Sequence, residues 1–150
     1  MVRTQISHHK RVNAIGTLLI SPGGRHYRLI SQLHRKNISG VQIVRFLAKL
    51  LKRVPGSIVL VWDNHPIHKR KIVQQFIKKH DRLYVSSLPA YAPELNPSEG
   101  IWTQSKEYTA GTMPHHIDQL HRNVYAAVKR TANSQALMRA CVLASGLRLD

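Results

Sequence analysis

Two acidic residues have types and positions that could bind a metal ion. Asp63 directly follows SIVLVW (57–62), a continuous apolar run of strand length. In open α/β sheets, ligands and catalytic groups gather at the carboxyl ends of such strands. Glu99 lies three residues after Asn96, where Pro97 can begin a helix. A strand end and a neighbouring helix start could bring these two carboxylates together around Mg²⁺, which prefers oxygen ligands.

Each acid also has a purely structural explanation. The pair Asp63-Asn64 could turn the chain and cap a helix that begins near Pro66. Glu99 could be the partner of Asn96 in an N-terminal capping box. Taken singly, each acid is better explained as part of a turn or a helix cap, so the catalytic hypothesis depends on the two occurring together.

The first half of the chain predicts a hairpin followed by a helix. Residues 12–20 and 26–30 are rich in branched apolar residues and flank SPGGR, whose Pro-Gly-Gly is typical of a turn. Apolar residues then recur at helical spacing from Ile43 to Val54. Ser39 is placed as the N-cap of this amphipathic helix, and Pro55-Gly56 ends it.

The second half of the chain predicts alternating strands and helices. The run 57–62 is expected to be a strand buried on both faces, as parallel sheets require. We expect a helix from Pro66 to about His80, with Ile72, Val73, Phe76 and Ile77 inward, and then a strand at 83–88. This strand is followed by a rigid loop (89–97), a helix through Trp102, and two helices around 117–132 and 134–145. Trp102 and Tyr91 are interpreted as core residues rather than base-stacking platforms. The order indicates one α/β domain over residues 1–150 with a mixed sheet and right-handed crossovers.

Composition favours a phosphate-rich partner. The chain has 23 Lys and Arg against 7 Asp and Glu, a formal net charge of +16, and residues 1–62 contain no acidic side chain. Such charge predicts nucleic-acid binding, although a basic solvated face or a ribosome-like RNA binder has a similar composition.

The single cysteine, Cys141, excludes an intrachain disulfide and fits a reducing compartment. It is interpreted as a small core residue. With no apolar run of membrane-spanning length, we expect a cytoplasmic protein without a membrane partner.

Two segments carry a specific family resemblance. VLVWDNHPIHKRK (59–71) and LPAYAPELNPSEGIW (88–102) together resemble the most characteristic segments of mariner-like insertion-sequence transposases, the DDE superfamily endonucleases. Asp63 and Glu99 are 36 positions apart, similar to the spacing of that family's second and third catalytic carboxylates. KRVNAIGTLLI (10–20) resembles the family's second core strand, so the likeness covers roughly residues 10–110.

The resemblance implies a fold, an activity and a set of site residues. The fold would be ribonuclease-H-like, a mixed sheet flanked by helices, and the activity Mg²⁺-dependent cleavage and strand transfer of DNA, with two metal ions at the scissile phosphate. Asp63 and Glu99 would be catalytic metal ligands, and Asn64 and His68 would support the site. Lys69, Arg70 and Lys71 would contact phosphates of the transposon ends and target DNA.

The chain departs from the family at the first catalytic acid. Family members place that Asp on a central strand before the one that resembles residues 10–20, and here no carboxylate side chain precedes Asp63. We therefore expect an N-terminally truncated or inactive copy that lacks this strand, leaving strand edges unpaired. It could associate with itself or with an upstream transposase fragment that supplies the missing Asp. The alternative function is a non-catalytic, basic nucleic-acid-binding protein.

Overall fold

A computed structural model describes residues 2–5 and 11–148, and for residues 2–5 it describes the backbone only. The elements in chain order are β1 (Val2–Gln5), β2 (Arg11–Ile20), β3 (Tyr27–His34), α1 (Gly40–Arg53), β4 (Ile58–Trp62), α2 (Lys71–Lys78), β5 (Leu83–Ser87), α3 (Pro97–Ala110), α4 (Ile117–Ala132) and α5 (Gln135–Ser145). Short 3₁₀ helices occupy Pro66–Lys69 and Pro93–Leu95. The chain divides into two compact units, the first formed by residues 1–37 and 94–150 and the second by residues 38–93.

The sheet of the first unit is built on the predicted hairpin. Strands β2 and β3 pair antiparallel from Asn13↔His34 to Ile20↔Tyr27, which confirms the hairpin and extends its second strand to His34. The turn between them requires left-handed backbone at Gly23 (φ 85°) and Gly24 (φ 67°), which glycine adopts without steric cost. Strand β1 pairs with the other edge of β2, so that the order is β1-β2-β3.

Three helices pack with this sheet to form the core of the first unit. Helix α3 contacts both α4 and α5, and α4 and α5 each contact β3. The helices predicted around 117–132 and 134–145 are confirmed as α4 and α5. The main core cluster joins β2 to the three helices through Val12, Ala14, Ile101, Trp102, Leu120, Val124, Val128 and Cys141. Cys141 is therefore a buried core residue, as expected, and burial raises the pKa of its thiol.

The second unit contains a parallel strand pair joined through α2. Strands β4 and β5 run parallel from Ile58↔Leu83 to Trp62↔Ser87, confirming both predicted strands. Helix α1 begins after Ser39 and ends at Arg53, before Pro55-Gly56, as predicted. Its C-terminal end is held by Arg82, whose guanidinium donates hydrogen bonds to the carbonyl oxygens of Leu51, Val54 and Gly56.

Three expectations for the second unit are wrong. The helix predicted from Pro66 to His80 is interrupted at Arg70, where ψ is 138° and the chain leaves the 3₁₀ helix before α2 begins. Ile72, expected inward on that helix, is exposed. Strand β4 is buried on one face only: Leu60 is 7% exposed and Val59 72%, because β4 and β5 form a two-stranded sheet with helix α2 packed against β5.

The mixed α/β class is confirmed, but the expectation that the strand before β2 is missing is wrong: β1 precedes β2 and pairs with the edge that was expected to be unpaired. Strand β1 lies before β2 and carries no carboxylate, so the segment preceding β2 contributes a strand but no acid. Over the described ranges, the strands form two separate sheets and no strand pairs with both. None of the helices described in residues 11–148 has the length and apolar character needed to cross a membrane.

Candidate active site

The Asp63 carboxylate sits in a tight turn at the carboxyl end of β4. Its Oδ1 accepts a hydrogen bond from the backbone N–H of His65 at 3.0 Å. The same oxygen lies 3.1 Å from Nε2 of His68, and the Asp63 side chain remains 41% exposed. The structural explanation is thus partly confirmed: Asp63 does turn the chain. It does not cap the following helix, because the ring of His65 accepts the capping hydrogen bond from the N–H of Ile67.

His68 fixes the orientation of Asp63 from a largely buried position. Its ring stacks on Trp62 with centroids 4.1 Å apart and an interplanar angle of 15°. Burial lowers the pKa of His68, and the charge of Asp63 opposes this shift without reversing it. A neutral ring with the proton on Nε2 donates to the Asp63 carboxylate. Nδ1 is buried and has no hydrogen-bond partner in the described part of the chain, which disfavours a proton there.

Asn64 ties the ends of the two parallel strands together. Its side-chain amide donates to the carbonyl oxygen of Leu88 at 2.8 Å. The N–H of Leu88 in turn donates to the carbonyl oxygen of Trp62 at 2.8 Å, which extends the β4–β5 pairing by one step. The residue after Asp63 therefore helps hold the turn at a defined place on the sheet.

Three basic residues follow this turn and are all exposed. Lys69 ends the 3₁₀ helix, Arg70 occupies the extended joint, and Lys71 begins α2. Because the chain changes direction at Arg70, the three residues do not lie along one face of a single helix. Their side chains are accessible to a charged ligand in the solvent.

Glu99 lies in the first turn of α3, in the first unit. The cap of this helix is Asn96, whose side chain accepts from the N–H of Ser98 at 3.1 Å. Within the described residues the half-buried Glu99 carboxylate accepts no hydrogen bond and forms no ion pair, so the predicted capping box is wrong. The cap is satisfied without Glu99, and its carboxylate is left available for another role.

Helix α3 is anchored one turn beyond Glu99. Trp102 is 4% exposed and packs over Gly16 of β2, confirming it as a core residue. Tyr91, which the sequence analysis also assigned to the core, is fully exposed with a positive φ of 59°. That assignment is wrong because the chain turns outward in the proline-rich loop.

Two residues that shape the Asp63 turn were not predicted from the sequence. Trp62 supplies the surface on which His68 stacks. Gln74 of α2 donates a hydrogen bond from its side chain to the carbonyl oxygen of His68 at 2.8 Å. The role of Trp62 could have been predicted, because it is the last residue of the strand before Asp63. The hydrogen bond from Gln74 could not, because it depends on the helix break at Arg70, which was not predicted.

The carboxylates do not form part of a complete metal cluster in the described structure. Among residues 2–5 and 11–148, no three or more His, Cys, Asp or Glu side chains are grouped so that they could hold a metal ion. Asp63 belongs to the second unit and Glu99 to the first.

Comparison with known proteins identifies the family. A family model described as DDE superfamily endonuclease matches residues 2–121, which include both Asp63 and Glu99. The chain belongs to this family. No curated protein matches the chain.

Solved structures of one transposase share the fold of this DDE endonuclease family member. A structure of the Mos1 transposase catalytic domain with raltegravir and Mn matches with a TM-score of 0.54 and 11% identity, covering 93% of this chain and 84% of that chain. The crystal structure of the catalytic domain of Mos1 mariner transposase matches with a TM-score of 0.53 and 11% identity, covering 93% and 83%. A structure of the Mos1 domain with raltegravir and Mg has a TM-score of 0.50 and 12% identity, covering 93% and 85%. The predicted ribonuclease-H-like fold is thereby confirmed.

Proposed function

We propose that this chain is a catalytic core of a DNA transposase, with Asp63 and Glu99 as two of its metal-binding carboxylates. The observation that carries the proposal is the family match over residues 2–121, which includes both acids in order. Asp63 at the carboxyl end of a parallel strand supports it, since such ends are where catalytic groups gather. The substrate would be DNA, because the net charge of +16 favours binding to its phosphates.

In this proposal Asn64 and His68 are positioning residues for Asp63. His68 holds one carboxylate oxygen, and Asn64 holds the turn on the β5 end of the sheet. The second carboxylate oxygen is then presented in a fixed direction from a side chain that is 41% exposed. A fixed and accessible carboxylate is what a hard cation such as Mg²⁺ needs.

The donor set does not fit a complete two-metal centre. Two carboxylates are proposed, the sequence has none before Asp63, and no three-ligand group occurs within residues 11–148. A bound Mg²⁺ would supply charge stabilisation at a phosphate. With one acid short, we propose that residues 1–150 by themselves bind Mg²⁺ weakly and cleave DNA poorly.

Lys69, Arg70 and Lys71 are proposed to contact DNA phosphates next to the Asp63 turn. All three are exposed and follow Asp63 within eight residues. Phosphate contacts of this kind orient a duplex without reading its sequence, and they make affinity fall with salt.

The test compares Mg²⁺ dependence in matched carboxylate variants. Binding of a random-sequence duplex is measured in Mg²⁺ and in EDTA for the parent chain, Asp63→Asn and Glu99→Gln. Asp81→Asn and Glu107→Gln remove the same charge at other exposed acids and serve as controls. We expect Mg²⁺ to strengthen binding in the parent and controls and to have no such effect in the two site variants. Equal Mg²⁺ dependence in all five chains would contradict the metal role.

Nicking of a supercoiled plasmid measures the activity of the chain alone. We expect it to stay near the level of a no-protein control in Mg²⁺. Robust nicking that Asp63→Asn abolishes would show that the site is complete and would contradict the proposed shortage of one acid.

A second candidate function is DNA binding without catalysis, favoured by the high positive charge and the lack of an acid before Asp63. It predicts steep salt dependence in every variant. Asp63→Asn and Glu99→Gln would then bind DNA as tightly as the parent or slightly more tightly, because each removes a negative charge. Loss of Mg²⁺ enhancement in those variants would exclude it.

A further inference from the structure

The exposed face of α4 carries basic and aromatic residues that the Asp63–Glu99 site does not use. We propose that this face is a separate DNA contact surface, which binds the phosphates of one strand through Arg122, Lys129 and Arg130. The inference rests on DNA being the partner of the proposed function, and it does not require catalysis. Apart from its first turn, this helix lies beyond residue 121, where the family match ends.

One stripe of α4 is exposed while the opposite stripe anchors the helix. The exposed stripe follows the helical spacing i, i+3, i+4, i+7, i+8 and consists of Arg122, Tyr125, Ala126, Lys129 and Arg130. The opposite stripe is buried in the core through Leu120, Val124, Ala127, Val128 and Thr131. The three cations are therefore displayed on a helix whose position is fixed by its packing.

Exposed tyrosines hold two of the cations in place. The Lys129 ammonium lies 6.0 Å from the ring centroid of Tyr125, and the Arg130 guanidinium lies 5.2 Å from that of Tyr108 on α3. Both tyrosines are exposed, Tyr108 by 51% and Tyr125 by 56%. Cation–π contacts of this kind restrict long side chains without neutralising their charge.

Acidic side chains do not neutralise this stripe. The one acid of α4, Asp118, lies one turn before Arg122 and pairs with Arg35 of the loop after β3 at 2.6 Å. Its charge is therefore directed to a cation outside the stripe. In the described residues, Arg122, Lys129 and Arg130 form no ion pair with a carboxylate.

The spacing of the cations fits a nucleic-acid backbone. At about 1.5 Å rise per residue, the eight steps from Arg122 to Arg130 extend about 12 Å along the helix. Phosphates of one B-DNA strand recur about every 3.4 Å along the duplex axis, so the stripe spans three to four of them. Unneutralised cations with adjacent aromatic rings fit this repeating anionic partner better than they fit the mixed charges of a protein surface.

The test is a salt titration of duplex binding with a triple variant. Arg122→Ala/Lys129→Ala/Arg130→Ala is compared with Arg25→Ala/Arg28→Ala/Arg139→Ala, which removes three exposed cations elsewhere in the first unit. If three phosphates are contacted, the slope of log affinity against log salt becomes less steep by about 2.7 in the α4 variant. The ratio of parent to α4-variant affinity then falls by up to about 40-fold between 50 and 200 mM salt. The control should change the slope much less. A thermal melt checks that both variants fold like the parent.

Tyr108→Leu/Tyr125→Leu tests the aromatic contribution separately. We expect affinity to fall several-fold with the salt slope unchanged, because the cations remain but are less well positioned.

Equal slope changes in the two triple variants would mean that only diffuse charge attracts DNA, and would overturn the inference. An unchanged slope in the α4 variant would also overturn it and would point to an acidic protein partner. If DNA binding by the parent does not depend on Mg²⁺ but the α4 variant has the less steep salt slope, only the proposed metal role of Asp63 and Glu99 is contradicted. If the parent binds no DNA, both proposals fail.

Discussion

The contact between Gly16 and Trp102 gives the sharpest test of how β2 positions the helix that carries Glu99. A Cβ atom added at Gly16 would lie 2.7 Å from both Cη2 and Cζ2 of Trp102. Real side-chain atoms do not approach so closely, and Trp102, at 4% exposed, has little room to move. Gly16→Ala must therefore shift either the indole ring or the whole of α3.

The expected cost follows from two opposing effects. Overpacking a well-filled core by one methyl group costs roughly 1–3 kcal/mol. Replacing a strand glycine by alanine returns about 0.5–1 kcal/mol because the unfolded chain loses conformational freedom. The difference is about 0–2.5 kcal/mol, so we expect Gly16→Ala to lower the free energy of unfolding by roughly 1 kcal/mol.

Urea denaturation of a double-mutant cycle measures this cost and its origin. Trp102→Phe removes the two ring atoms that the new methyl group would strike, so in that background Gly16→Ala should raise the free energy of unfolding by about 0.5–1 kcal/mol. The resulting coupling between the two sites should exceed about 1 kcal/mol. Gly111→Ala is the matched control, because a Cβ there meets nothing within 4 Å. A coupling near zero, in which Gly16→Ala has the same effect with Trp102 as with Phe at that position, would refute the proposed close contact.

Three further changes test other parts of the structure. Asn96→Ala removes the cap of α3 and should cost about 1 kcal/mol in urea denaturation, whereas Glu99→Gln should cost much less, since Glu99 takes no part in the cap. Equal costs would restore the capping-box explanation. Arg82→Met should cost about 1.5–3 kcal/mol, because the C-terminal carbonyls of α1 lose a charged donor, and a change within experimental error would contradict that role. Burial and the raised pKa of the Cys141 thiol predict slow reaction with a thiol reagent at neutral pH, and a rate near that of the urea-unfolded chain would contradict its burial.

Local sequence patterns predicted most elements of the fold. The hairpin followed from Pro22-Gly23-Gly24 between branched apolar runs, and α1 from its helical spacing with Ser39 before it. These features are decided by neighbours in the sequence. Strand β1 was not predicted because VRTQ is short and only one of its residues is apolar. The break at Arg70 was missed because the sequence on both sides favours a helix. The residues that cap the two separate helices, His65 and Arg70, are not typical N-cap residues.

The positions of the two candidate acids, one after a strand and one in the first turn of a helix, could be predicted from the sequence, but their surroundings could not. Asp63 was identified by its place after an apolar strand, and Glu99 by its motif. The stacking of His68 on Trp62 depends on ring orientations that no spacing rule contains. The loss of the capping box at Glu99 likewise depends on which N–H the Asn96 side chain accepts from. The metal, positioning and phosphate-contact roles remain predictions for the experiments above.

The first unit is discontinuous in the sequence, and this sets an order of folding. Residues 38–93 form one uninterrupted stretch and can complete their contacts as soon as they leave the ribosome. The hairpin that precedes them cannot, because Gln135 must still arrive to exchange hydrogen bonds with both the N–H and the carbonyl of Tyr27, 108 residues earlier. Closing so long a loop is entropically slow, and until then the apolar side of β2 is without its helices. We therefore expect recombinant yield to respond to slower translation or added chaperones more than to changes in the second unit.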